Sequence, residues 1–140
     1  MTEMSAPGQN RLRVLVVDDN RDAADSLCLL VGMWGHTARA AYEGAEALET
    51  ARTFQPDCLF VDIRLPGIDG WAVLKALKAD AGTSSIPVIV VSIVDERSRG
   101  VELGASAYLV KPVRREELLS ALAAVGVHIA MHAGPGTEVD

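Results

Sequence analysis

The feature that most constrains this chain is an alternation. Five short strand-like runs, Arg13–Val17, Thr37–Ala41, Cys58–Val61, Val88–Val91 and Ala107–Val110, are separated by stretches of helical periodicity. Strands that alternate with helices build parallel βαβ units with right-handed crossovers, which predicts an α/β fold with one parallel sheet. Asn20 can cap a first helix with Ala23, Leu27, Leu30, Val31 and Trp34 on its inner face and Gly35 at its end. A second helix is predicted from Ala45 to Phe54, with Leu48, Ala51 and Phe54 inward and Pro56 beyond it. A third, from about Asp69 to Ala79, uses Val73, Leu74 and Leu77, and a turn at Gly82, Thr83 and Ser84 follows. The fourth, around Glu96 to Leu103, is short and contains Gly100. The fifth starts near Arg114, with Leu118, Leu119, Leu122 and Val125 on one face.

At 140 residues and 49% hydrophobic, the chain has the size and composition of one globular domain. Residues 11–126 are expected to form it. Residues 1–10 read as a flexible N-terminus, and 127–140 as a tail that extends the last helix and then frays. Thirteen Lys and Arg against nineteen Asp and Glu give a formal charge of −6, with no basic cluster, so direct nucleic-acid binding is not expected. The apolar runs are too short to insert in a membrane. The opening "MTEMSAPGQN" lacks the features of a signal peptide, which leaves the cytoplasm as the expected location. Cys28 and Cys58 have no metal-type spacing and read as small core residues in a reducing compartment.

In an open parallel sheet, functional groups gather at the carboxyl ends of the strands. The first run, "LRVLVVDDN", ends in Asp18 and Asp19, and the third, "CLFVD", in Asp62. The fourth, "PVIVVS", ends in Ser92, and the fifth, "AYLVKP", in Lys111 before Pro112. Three carboxylates sharing one cleft repel each other and lose hydration, so the cluster calls for a cation. An all-oxygen set with few protein ligands suits Mg²⁺. Lys111 and Ser92 add a positive charge and a hydroxyl, which suit a phosphoryl group, and a carboxylate can accept that group as a nucleophile. Each feature alone has an ordinary explanation. Adjacent acids after a strand can cap a helix, and a Lys-Pro pair can sit in a surface turn. The conjunction at four strand ends is what is specific.

Over about Arg11 to Val125 the sequence resembles the receiver domains of two-component response regulators. The resemblance is carried by "VLVVDDN", "FVDIRLPGIDG", the strand ending in Ser92 and "LGASAYLVKP". It implies a doubly wound, flavodoxin-like (βα)5 fold with strand order 2-1-3-4-5. It further implies that Asp62 is the phosphoacceptor. Mg²⁺, for which Mn²⁺ can substitute, would be bound directly by Asp19, Asp62 and the backbone carbonyl of Arg64, and by Asp18 through water. Lys111 would be the phosphate partner, and Ser92 and Tyr108 the coupled switch pair. In such domains the bond between Lys111 and Pro112 is usually cis. The donor would be a sensor histidine kinase or a His-phosphotransfer protein, acting toward a downstream effector that the sequence does not name. No effector domain follows, so a stand-alone receiver and one cut from a larger protein both fit.

Two features depart from the pattern. Ile93 follows the strand-four hydroxyl where the family usually has Ala or Gly, and such bulk narrows access to the phosphoryl group. The Ser92–Lys111 segment is also shorter than is common, by about three residues, with the loss in the fourth helix and the loop before it. These departures sustain one alternative, a degenerate receiver that serves as a protein-interaction module without phosphorylation. A haloacid-dehalogenase-type hydrolase wants a second Asp two residues after the nucleophile, where Arg64 stands. A flavodoxin-type nucleotide binder wants a Gly-rich or Ser/Thr-rich loop in place of "DDNRDAAD". His128 and His132 share helical i, i+4 spacing, but no carboxylate accompanies them to suggest a metal site. His36 is expected in the turn before the second strand.

Overall fold

The computed structural model describes residues 11–132, with side chains described through Val127. Its elements are β1 (Arg13–Val17), α1 (Arg21–Met33), β2 (Thr37–Ala41), α2 (Gly44–Phe54) and β3 (Cys58–Asp62). They continue with α3 (Gly70–Ala79), β4 (Val88–Ser92), α4 (Arg97–Glu102), β5 (Ala107–Val110) and α5 (Arg115–His132). The five strands are parallel, in the order β2-β1-β3-β4-β5. The expected flavodoxin-like architecture is therefore the one found.

The sheet separates two apolar layers, because successive strand residues point to opposite faces. Leu15, Val17, Leu59, Val61, Val88 and Val90 pack against α2 and α3, through Ala47, Ala51, Trp71, Leu74 and Leu77. Val14, Val16, Phe60, Ile89 and Val91 face α1 and α5, through Ala24, Val31, Leu118, Leu122 and Val125. Strands β3 and β4 are buried along their whole length, whereas the edge strand β2 alternates with solvent. That edge position explains how "TARAA" accommodates Thr37 and Arg39.

Several sequence expectations need correction. Ala23 is exposed, and Ala24 takes the buried position, two turns from Val31. The Asn20 cap sets this phase, its side chain accepting a hydrogen bond from the Ala23 N–H. Leu119 is 42% exposed because the buried stripe of α5 runs through Leu118, Leu122 and Val125. α2 begins at Gly44, where a Cβ would lie 2.6 Å from the Ile68 carbonyl oxygen. β3 and β4 each run one residue further than predicted, since Asp62 still pairs with Val91 and Ser92 with Val110. α4 is shorter than predicted, at six residues.

Gly35, at φ 97°, ends α1 as the sequence suggests. His36 lies in the turn before β2, and its Nδ1 accepts a hydrogen bond from the Leu12 N–H at 3.0 Å. Cys58 is buried and Cys28 half-buried, and burial is the main cause pushing their thiols up to about 12 and about 11. Neither is a ready nucleophile at neutral pH. The side chains of His128 and His132 lie outside the described ones, as do residues 1–10 and 133–140. Among the described residues no helix is long and apolar enough to cross a membrane.

Candidate functional site

Three strand ends meet at one carboxylate cluster. After β1, the Asp18 N–H donates to the Ala41 carbonyl at 3.1 Å, which holds Asp18 in the sheet's frame. Its Oδ1 accepts from the Asn20 N–H at 2.9 Å as the chain turns into α1. Asp62 closes β3, and its Oδ1 accepts from the Arg64 N–H at 3.0 Å. The following loop folds back so tightly that a Cβ at Gly70 would lie 2.4 Å from the Asp62 carbonyl oxygen. Only glycine permits that approach. Lys111 follows β5, its N–H donating to the Ser92 carbonyl at 2.8 Å, and the Lys111–Pro112 peptide is cis as expected. From there the side chain passes the end of β4, and Nζ donates to Asp62 Oδ2 at 2.9 Å and Asp18 Oδ2 at 3.2 Å.

Asp18 and Asp62 are both buried, at 7% and 8% exposure, while Asp19 is exposed. One carboxylate oxygen from each of the three lies within 4.8 Å of the others. Among the described residues, three carboxylates against the single Lys111 ammonium leave two negative charges uncompensated. Burial pulls the Lys111 ammonium's pKa down, but hydrogen bonds and charge from Asp62 and then Asp18 outweigh it and hold it above the ordinary lysine value. The lysine is therefore fully charged at neutral pH. Hard oxygen donors with net negative charge fit a small divalent cation, and a fixed ammonium fits phosphoryl oxygens.

The remaining predicted residues lie on the β4–α4 side. Ser92 is 1% exposed, and its hydroxyl accepts from the Val94 N–H at 3.1 Å. The Tyr108 hydroxyl donates to the Val94 carbonyl and accepts from the Glu96 N–H at 3.2 Å. Ser92 and Tyr108 thus hold the same residue from its two backbone groups. Their link through Val94 has no signal in the sequence. Nor does the setting of Tyr108, whose ring lies 6.4 Å from that of Trp71, which in turn carries the Arg99 guanidinium at 4.5 Å. Ile93 is 55% exposed and lines the same cavity as Asp62 and Lys111.

Comparison with known proteins agrees with this geometry. The family model for the response regulator receiver domain matches residues 14–123. Protein PilH of Pseudomonas aeruginosa is 37% identical over 116 residues, a match covering 81% of this chain and 96% of that protein. Response regulator MprA of Mycobacterium ulcerans is 37% identical over 117 residues, again 81% of this chain, but the match spans only 50% of MprA. The chain thus spans about half the length of some relatives it matches. Among solved structures, chemotaxis protein CheY4 of Vibrio cholerae superposes with a TM-score of 0.77 at 26% identity, covering 83% of this chain and 99% of that one. The receiver domain of Francisella response regulator 1452 gives 0.78 at 28% identity, covering 84% and 98%. With the matched region running from β1 into α5 and enclosing every strand end that contributes to the cluster, the chain belongs to the response-regulator receiver family.

Proposed function

We propose that this domain accepts a phosphoryl group on Asp62 from the phosphohistidine of a sensor histidine kinase or His-phosphotransfer protein. The observation that carries this reading is Lys111 Nζ bound to Asp18 and Asp62 together, which ties the ends of β1, β3 and β5 into one charged site. Asp62 is the acceptor because β3 lies between β1 and β4, putting its carboxylate between the acids of β1 and the Ser92 hydroxyl of β4. An Asp62 carboxylate oxygen attacks phosphorus, the bond from phosphorus to the donor's imidazole nitrogen breaks, and that nitrogen keeps the electron pair. Lys111 remains charged and moves its hydrogen bonds from the carboxylates to the arriving oxygens. Ser92 gives up the Val94 N–H to donate its hydroxyl to a phosphoryl oxygen, and Tyr108 follows through Val94.

The cluster's two uncompensated charges and oxygen-only donors fit Mg²⁺ or Mn²⁺, held by Asp19, Asp62 and the Arg64 carbonyl, with Asp18 acting through water. When bound, the ion offsets charge on the phosphoryl oxygens. The place of action is the cytoplasm, the output is an effector protein, and the chain neither binds nucleic acid nor inserts in a membrane. Ile93 beside the acceptor favours one second reading, an interaction module that is not phosphorylated. Incubation with a small phosphodonor separates the two. The phosphorylation reading predicts a mass gain of one phosphoryl group that needs Mg²⁺ and is lost in Asp62→Asn. No gain in the wild-type protein would leave the interaction module.

A further inference from the structure

Beside the carboxylates the sheet opens into a cavity of about 520 Å³. Its accessible walls are apolar, built from Leu27 of α1, Ile93, Pro112 and Val113, over a buried floor of Val16 and Phe60. One end alone is charged, by Asp18, Asp62 and Lys111. A cavity of a few hundred Å³ with apolar walls and a few convergent polar groups is the usual form of a small-molecule site. A divalent ion on the acids would leave these walls uncovered, because it binds by charge alone.

We propose that this cavity takes a small amphipathic cation, a primary amine with an aliphatic or aryl body, its ammonium on Asp18 and Asp62 and its body against Leu27, Ile93 and Val113. Charge selects the class. The lining carries two carboxylates and one ammonium, and Asp19 adjoins them, so an incoming cation relieves repulsion. A carboxylate-headed ligand would meet three like charges, with only an ammonium already shared by two of them. A neutral ligand gains from the walls but not from the acids. The occupant competes with a divalent ion for the Asp62 carboxylate and so inhibits phosphoryl acceptance. This rests on the site proposed above only for that last consequence; the binding itself needs neither metal nor phosphate.

The test compares hexylamine, hexanol and hexanoate on the full chain with divalent ions chelated, following backbone amide shifts at Val16, Leu27 and Val113. Hexylamine should bind at least tenfold more tightly than hexanol, hexanoate should not bind, and Mg²⁺ should weaken hexylamine. Ala23 lines the cavity from an exposed position on α1, so Ala23→Phe fills it without disturbing the core. That variant should lose hexylamine while keeping its Mg²⁺-dependent rise in melting temperature. Equal affinity for hexanol and hexylamine, no binding of either, or undiminished binding to folded Ala23→Phe would each overturn the proposal. Labelling of Asp62 without amine binding would refute the amine site and leave the phosphoacceptor reading standing; amine binding without labelling would do the reverse.

Discussion

Gly100 faces Tyr108 so closely that a Cβ at position 100 would lie 2.9 Å from Cδ2 of the ring. In the sequence Gly100 reads only as a weakness in a short helix. In the fold it is the buried residue of α4, and the space it leaves is where the tyrosine packs. The ring has little freedom to yield, since its hydroxyl is tied to Val94 and Glu96.

Gly100→Ala should therefore destabilise the domain. Helix propensity favours Ala by about 1 kcal/mol, whereas overpacking costs about 1–3 kcal/mol, so the net loss should be about 1 kcal/mol. In a Tyr108→Ala background the same change should become stabilising. A double-mutant cycle from chemical denaturation checks this, and additive effects would show that the ring does not set the requirement for glycine.

His36 supplies a pH dependence. Burial, and then the charge of Arg11, hold its pKa below the ordinary histidine value. Its Nδ1 must be unprotonated to accept from Leu12, so the folded state favours the neutral ring. Stability should be full above the unfolded pKa of about 6.5 and fall as pH drops from there toward the lower folded value. We expect the melting temperature to fall by about 2–3 °C between pH 7.5 and 5.5. His36→Asn, whose Oδ1 can accept the same hydrogen bond without titrating, should flatten that profile. An unchanged slope in the variant would place the titrating group elsewhere.

Lys111→Met removes the one ammonium from the carboxylate cluster. The acids then face a divalent ion without competition, so Mg²⁺ should bind about three- to tenfold more tightly, or about 0.7–1.4 kcal/mol. Phosphoryl acceptance should fall at the same time, because its oxygens lose their fixed cation. Calorimetric titration together with phosphodonor labelling reads both effects. Weaker metal binding in the variant would mean that Lys111 supports the ion rather than opposing it.

α4 should be the helix least protected from hydrogen exchange. It has six residues, fewer than two turns at 3.6 per turn, and only Gly100 of it is buried. A beryllofluoride-type phosphoryl mimic with Mg²⁺ should slow exchange mainly across Ile93–Leu103, where Ser92 and Tyr108 meet at Val94. Protection of that segment equal to α5, and unchanged by the mimic, would contradict this.

The architecture was legible because it rests on local signals: buried strand runs, the Asn20 cap, and glycine at the end of α1. The positions of Asp18, Asp19, Asp62 and Lys111 were legible too, since a parallel sheet delivers strand-end residues to one rim. For Ala23 and Leu119 the periodicity gives a stripe one residue wide of its true phase, and only packing fixes that phase. The join of Ser92 to Tyr108 through the backbone of Val94, and the Arg99–Trp71 contact, were not legible. They depend on how loops and helices dock across the sheet, which no local pattern encodes.

The most direct test of the account is to find where the phosphoryl group goes. After exposure to a phosphorylated His-phosphotransfer protein or a small phosphodonor with Mg²⁺, borohydride reduction converts an aspartyl phosphate to homoserine. Peptide mapping by mass spectrometry then locates it. Phosphoryl transfer to Asp62 predicts homoserine at position 62 alone, and none in Asp62→Asn. Homoserine at position 18 or 19, or its absence from a folded, donor-treated protein, would contradict it.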